Sequence, residues 1–415
     1  MTELGPRMIS AGGFVAMMAI AWCVSSNRAA IPWRIVAWGV GLQFTLAIVL
    51  LKTPFGSAFF VAVNQLVNRL LTYAEAGARF VFGGLLDTGV SFALNVLPVI
   101  IFMGSLVAVL YHLGIVQRIV NAFAFVLART MRVSGVEALA AVANVFVGMV
   151  ESTLVIKPYL AAMTRSELFS LMTLGMATIS GSVLIVYVQF LGDVNFAGHL
   201  VTASLLSAPA GLLIAKIMIP ETGTPVTADG ASASAAIEGA ETRASNVIDA
   251  AATGAINGLR LAAYIAALLI AFYAMIEMAN DILSYAGSYF GKPDLSFQGV
   301  LGWLMTPVAL AMGIPQQDAS QIGSLLGIKT VLNEFVAYQQ LGEMVAAGTL
   351  QPRSIVIASY ALCGFANFGS LAIMLGGIEG IAPGRRHEVA RLGMRSILSG
   401  SLTTFMTACI VGMFL

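Results

Sequence analysis

Two carboxylates stand where an apolar chain should carry none. Glu151 follows Gly148-Met149-Val150 inside the apolar run 139–155, and Glu334 sits in Asn333-Glu334-Phe335 inside a second apolar frame. Placing an Asp or Glu at the centre of a bilayer costs about 2.5 to 3.5 kcal/mol on insertion scales, so a chain that keeps one points it at a partner, an ion or a substrate. Paired carboxylates can also do acid and base work, which leaves a membrane-embedded hydrolase using Glu151 and Glu334 as an alternative. A third use is a buried ion pair, for Glu334 with Lys329. There is no His-Glu-x-x-His motif, and His112, His199 and His387 have no metal-ligand spacing. Cys23, Cys363 and Cys409 all lie in apolar runs and are expected as buried small hydrophobes, without a disulfide framework.

The elements that must position these groups follow from composition. Of 415 residues, 59% are hydrophobic and 10% charged, well below the roughly 25% charged of a soluble domain. Mean hydropathy is +0.91, so the chain is an all-α polytopic membrane protein. A net charge of +1 excludes a basic nucleic-acid face. The first apolar segment lacks a basic leader and a small-residue cleavage site, so no signal peptide is expected.

Eight crossings are expected, at residues 8–25, 32–51, 91–113, 166–191, 196–219, 248–285, 354–377 and 392–415, each long enough for a hydrocarbon core of about 30 Å. Residues 55–82, 116–132 and 296–312 are amphipathic and suit helices lying in the interface. Residues 134–163 and 316–344 are apolar but interrupted, the first by Asn144, Gly148, Glu151, Lys157 and Pro158, the second by Gly323, Gly327, Lys329, Asn333 and Glu334. Both read as re-entrant hairpins, since irregular backbone at membrane depth survives only against protein or a water-filled cavity. Residues 221–245, poor in large apolar side chains, read as a linker outside the membrane. The expected division is a scaffold at 1–133, a first repeat at 134–219, a linker at 220–247, a long scaffold helix with an interfacial helix at 248–315, and a second repeat at 316–415. With the Arg28/Arg34 turn placed in the cytoplasm, the larger share of the 21 Lys and Arg residues falls inside, as short cytoplasmic loops require. Both termini then lie outside, and the two hairpins enter from opposite faces.

Opposed hairpins make an inverted repeat, and the sequence echoes it. Gly175-Met176-Ala177-Thr178-Ile179-Ser180-Gly181-Ser182 follows the first hairpin, and Gly364-Phe365-Ala366-Asn367-Phe368-Gly369-Ser370 follows the second. Inverted repeats with interrupted segments place binding sites near the midplane of secondary transporters. Packing of small residues between helices is the other use of such a pattern.

The segments 144–151, 329–338 and 361–367 resemble the concentrative nucleoside transporters, and the resemblance extends along essentially the whole chain. It implies a trimer in the bacterial inner membrane that imports nucleosides by alternating access as a symporter. The coupling ion is Na⁺ or H⁺, with no organic cofactor and no enzymatic activity. By the same resemblance Glu334, Asn367 and Ser370 hydrogen-bond the ribose, while Phe365 and Val183 line the pocket with Gly148, Met149, Val150 and Glu151. Asn144 with Val147, Thr178 and Ile179 would hold sodium. The departure is Met149 and Val150, which stand where the family carries a polar pair that reads the nucleobase. A carrier of a different polar metabolite on the same fold therefore remains the alternative.

Overall fold

In the computed structural model the structure describes residues 4–88, 92–193, 195–227, 244–292 and 294–415; the side chains of residues 87, 88, 92, 150 and 151 lie outside the description. Long apolar sequences form the outer helices: α1 (Leu4–Cys23), α2 (Trp33–Lys52), α4 (Leu97–His112) and α12 (Val247–Ser288). At 1.5 Å per residue α12 is about 63 Å long, about twice the hydrocarbon thickness, so it tilts or projects beyond the membrane. Between them run α3 (Pro54–Phe82) and α5 (Ile115–Met131), over two of the three expected interfacial segments. α4 and α12 touch through glycine: a Cβ on Gly258 would lie 2.8 Å from the Ile100 carbonyl oxygen, so the two backbones are in direct contact.

The first hairpin is α6 (Gly135–Phe146), α7 (Met149–Val155) and the single turn α8 (Lys157–Leu160), broken at Val147 and Gly148. Gly148 has φ of 120°, outside what a side chain tolerates, so the break is written into that glycine. The crossing expected at 166–191 is two helices, α9 (Arg165–Ala177) and α10 (Gly181–Leu191), and α11 (Phe196–Met218) follows. α13 (Phe297–Ala311) lies along the third expected interfacial segment, and the chain bends by 118° between it and the next helix, α14 (Gln316–Val331). The second hairpin is α14 with α15 (Glu334–Ala346), broken at Leu332 and Asn333. The crossing expected at 354–377 is also split, into α16 (Pro352–Leu362) and α17 (Phe368–Ile381), and α18 (Arg386–Phe414) completes the chain.

Both crossings that follow a hairpin are therefore broken where a continuous span was expected. The sequence echo straddles the two breaks in different register. Gly175 to Ala177 ends α9, whereas Gly364 to Ala366 lies within the break between α16 and α17. Side chains cap the new helix starts in the second repeat: Asn333 Oδ1 accepts from the Val336 amide and Asn367 Oδ1 from the Ser370 amide. In the first repeat capping boxes sit instead at the outer ends, Ser134 with Glu137 and Thr164 with Glu167.

Burial separates an inner layer from an outer one. Of the apolar stretch of α11, 89% is buried by protein, against 17% for α12. The two repeats interlock, with α10 against α15 and α17 against α7. At the base of the first hairpin the buried Lys216 ammonium pairs with Glu137 and lies 3.3 Å from Glu221, donating also to Ser166 Oγ at 2.9 Å. These bonds tie α6, α9 and α11 together, which fixes where the hairpin tip lands. Of the cysteines, Cys363 and Cys409 are buried as expected, but Cys23 is exposed because α1 ends there and the chain turns away.

Candidate functional site

Interlocking the repeats brings all four helix breaks to one cavity of about 810 Å³, counting the space at its open mouth. The first hairpin contributes Val147, Gly148 and Met149, and the break after it Ser180, Ser182 and Val183. The second hairpin contributes Asn333, Glu334 and Phe335, and the break after it Phe365, Asn367 and Ser370. Leu261, Tyr264 and Ile265 of α12 close the remaining side, a wall for which sequence reading held no signal.

Glu334 is the chemical centre of this cavity. It is the first residue of α15, where the helix dipole favours a negative charge. Its Oε1 accepts from the Tyr187 hydroxyl at 2.9 Å and its Oε2 from Asn367 Nδ2 at 2.6 Å. An ionised carboxylate has about four acceptor positions, so two remain for a ligand. Asn367 works in two directions, donating to Glu334 while its Oδ1 accepts from the Ser370 amide at 2.7 Å. The alternative ion pair between Glu334 and Lys329 is not formed: Lys329 Nζ donates to the Ala361 carbonyl and to Thr404 Oγ1.

Tyr187 was missed by sequence reading, as a tyrosine among the apolar residues of α10 carries no local mark of its role. Its ring stacks on Tyr338 at 4.2 Å between centroids and meets Phe335 edge-on at 5.1 Å. The Tyr338 hydroxyl is anchored on the Ser359 carbonyl at 2.6 Å. Glu334 is thus positioned by an aromatic stack that joins α10 to α15.

A second polar cluster lies behind the first hairpin tip. Asn144 Nδ2 donates to Thr178 Oγ1 at 2.8 Å, and Asn144 Oδ1 accepts from Ser152 Oγ at 3.3 Å. All three side chains are buried, as is Ile179. α6 and α9 end here, so their last carbonyl groups add partial negative charge to the cluster. Of the residues singled out from sequence, Gly148, Met149, Val183, Glu334, Phe365, Asn367 and Ser370 meet at one cavity, which Val147 also lines. Asn144 and Thr178 meet directly behind it. The side chains of Val150 and Glu151 lie outside the described residues.

Two interrupted hairpins, two interrupted crossings and a largely apolar cavity with a few convergent polar groups define a membrane carrier with an inverted repeat. Comparison with known proteins makes the class specific. A family profile described as "Na+ dependent nucleoside transporter C-terminus" matches residues 199–412, its N-terminal companion matches 12–85, and a "Nucleoside recognition" gate profile matches 93–194. The chain belongs to the Na⁺-dependent nucleoside transporter family. It is 44% identical to the uncharacterized transporter YutK of Bacillus subtilis over 97% of this chain and 98% of that protein. It is 41% identical to rat solute carrier family 28 member 3 over 98% of this chain and 58% of that protein. To mouse sodium/nucleoside cotransporter 1 the identity is 36%, over 98% of this chain and 63% of that protein. The chain thus spans nearly all of the bacterial relative and about three fifths of the mammalian ones. Among solved structures, CNTnw in an inward-facing substrate-bound state is 39% identical, with a TM-score of 0.92 over 99% of this chain and 98% of that one. A CNTnw variant in an outward-facing state is also 39% identical, with a TM-score of 0.91 over 98% of this chain and 97% of that one. Most of the fold is therefore shared between the two states.

Proposed function

We propose that the chain is a symporter that imports ribonucleosides across the bacterial inner membrane by alternating access. The observation that carries this reading is Glu334, held at the cavity wall by Tyr187 and Asn367 with two acceptor positions left over. Two adjacent sugar hydroxyls fill those positions, with Ser370 beside them and Phe365 and Val183 as apolar walls. Gly148 and Met149 face the base, joined in this reading by Val150 and Glu151.

Sodium is the proposed coupling ion. Asn144, Thr178 and the backbone of Val147 and Ile179 supply hard oxygen donors of the kind that broken helices offer to Na⁺. The relatives are transporters and no hydrolytic step is proposed for the carboxylates. The reading includes a homotrimer with both termini outside, and a chain divided into scaffold (1–133), first repeat (134–219), linker (220–247), scaffold helices (248–315) and second repeat (316–415).

Uptake into proteoliposomes tests the proposal, using a panel of ribonucleosides, 2′-deoxynucleosides, nucleobases and sugars, with Na⁺ and proton gradients imposed separately. Ribonucleosides should accumulate against their gradient, and 2′-deoxynucleosides less well, because a missing hydroxyl leaves a buried acceptor unpaired. Uptake of a solute without a diol in preference to every ribonucleoside would favour the alternative substrate.

Met149 makes a prediction of its own. Its thioether offers a base edge a soft surface and no good hydrogen bond. Met149→Gln is expected to tighten binding of uridine or adenosine about threefold to tenfold, the worth of one net hydrogen bond. Titration calorimetry checks this, and an unchanged affinity for both would remove base reading from this position.

A further inference from the structure

Lys329 is fully buried, and among the described residues its ammonium has no carboxylate partner. Its Nζ donates to the Ala361 carbonyl at 2.8 Å and to Thr404 Oγ1 at 3.1 Å, and it lies 5.8 Å from the centre of the Phe405 ring. Among the described residues no carboxylate oxygen comes within 4.0 Å of it. Glu334 is within electrostatic reach but forms no ion pair with it. An isolated buried charge is costly, and a chain that keeps one gives it a task.

The internal repeat says what position this is. α6 ends at Phe146 and α14 at Val331; α9 ends at Ala177 and α16 at Leu362. Both pairs of helix ends are 185 residues apart, as are the cap residues Gly148 and Asn333 that follow the hairpin breaks. In this register Asn144 corresponds to Lys329 and Thr178 to Cys363. Where the amide of Asn144 reaches the end of α9, the ammonium of Lys329 reaches the last turn of α16. The break after α16 touches the last turn of α9, since a Cβ on Gly364 would lie 2.9 Å from the Met176 carbonyl oxygen.

The partners fit a cation. A carbonyl oxygen, a hydroxyl oxygen and an aromatic face are what an ammonium and an alkali ion have in common as surroundings.

We infer that Lys329 is a tethered cation: its ammonium occupies, in the second repeat, the counterpart of the site that holds the coupling ion in the first. The inference rests on the Na⁺ reading of the Asn144 cluster. Its consequence is an asymmetry between the hairpins. The first is tied to the end of α9 by the neutral amide of Asn144, and a bound ion adds to that tie only while it stays, while the second is fastened to α16 and α18 permanently, by a charge that cannot leave. One mobile Na⁺ then completes a pair of cation sites, and the fixed charge balances Glu334 between them.

The test uses the full chain and three side chains at position 329. Lys329→Met keeps the length and removes the charge; Lys329→Asn restores the residue type of the first repeat and opens room for a hydrated ion. Each purified protein is melted over a range of NaCl at constant ionic strength with choline chloride, and uridine uptake is measured over the same range. The inference predicts that Lys329→Met loses uptake at least about tenfold at every Na⁺ concentration. Lys329→Asn should recover uptake and melting temperature as Na⁺ rises, with a Hill coefficient going from about 1 in the wild type to about 2. Should Lys329→Asn not be recovered from membranes, Lys329→Gln fills more of the space and is read in the same way. Wild-type uptake by Lys329→Met overturns the inference, as does a Na⁺ response in the Asn variant no greater than in the wild type. A wild type indifferent to Na⁺ beside a Na⁺-responsive Lys329→Asn sinks the coupling reading alone and leaves the tethered cation standing.

Discussion

Glu334→Gln is expected to abolish nucleoside uptake while the protein still inserts and melts cooperatively. The carboxylate accepts two hydrogen bonds from the protein, from Tyr187 and Asn367, and keeps two acceptor positions for the substrate. Gln has the same shape but only one acceptor oxygen, and its amide hydrogens must face either a donor of the protein or a donor of the sugar. Hydrogen bonds to a charged group contribute about 1.5 to 3 kcal/mol each. Losing two to the substrate weakens binding by about a hundredfold to ten-thousandfold. Radiolabelled uridine uptake by proteoliposomes, with size-exclusion and melting controls, decides the matter. Uptake at the wild-type rate would remove the sugar-binding role from Glu334.

The second large effect is expected at Asn144. Its side chain links Thr178 at the end of α9 to Ser152 in α7, so it joins the hairpin tip to the break behind it. Asn144→Ala removes an oxygen ligand from the proposed Na⁺ site and cuts that link, leaving the Thr178 and Ser152 hydroxyls only their backbone acceptors, the carbonyls of Leu174 and Met149. The Na⁺ concentration for half-maximal uptake should rise about tenfold or more, the worth of one charge-assisted contact. At saturating Na⁺ the uptake should recover in part, which separates a weakened ion site from a misfolded protein. An unchanged Na⁺ dependence with full uptake would place the coupling ion elsewhere.

These two residues act through neighbours that come from distant parts of the fold. Tyr187 belongs to the first repeat and holds the carboxylate of the second. α7 of the first hairpin packs against α17 of the second repeat, so the cavity exists only where the repeats interlock. This also explains why the polar residues of the breaks are divided between two tasks. Asn333 and Asn367 cap their own helices. Gly148 and Ser180 leave the starts of α7 and α10 without side-chain caps, so backbone donors remain for a ligand at the cavity wall.

Much of this was written locally in the chain. The density of apolar residues decides that it lives in a membrane. An acidic residue close to Gly148, and another beside Asn333, marks each place where the backbone must leave the helix. Gly148 does so by its φ of 120° and Asn333 by capping the start of α15, and both are properties of single residues. Hence the two hairpins and the cavity-lining residues of the second repeat were legible from spacing and resemblance. The breaks inside the two crossings after the hairpins were not, although Gly, Ser, Thr and Asn mark both, because small and polar residues serve equally to pack a continuous helix against its neighbours. Nor was the exposure of Cys23, which depends on where α1 ends.

Only the tertiary structure decided the partners. Glu334 and Tyr187 are separated by 147 positions, and nothing local to either announces the other. Lys329 looked like a partner for Glu334 because they are near in sequence, yet the repeat turns its ammonium toward α16 and α18 instead. A carboxylate or an ammonium in an apolar chain demands a partner, and the sequence states that demand plainly. Which partner answers it is settled by how the two repeats pack, since that alone brings donors and acceptors to hydrogen-bonding distance.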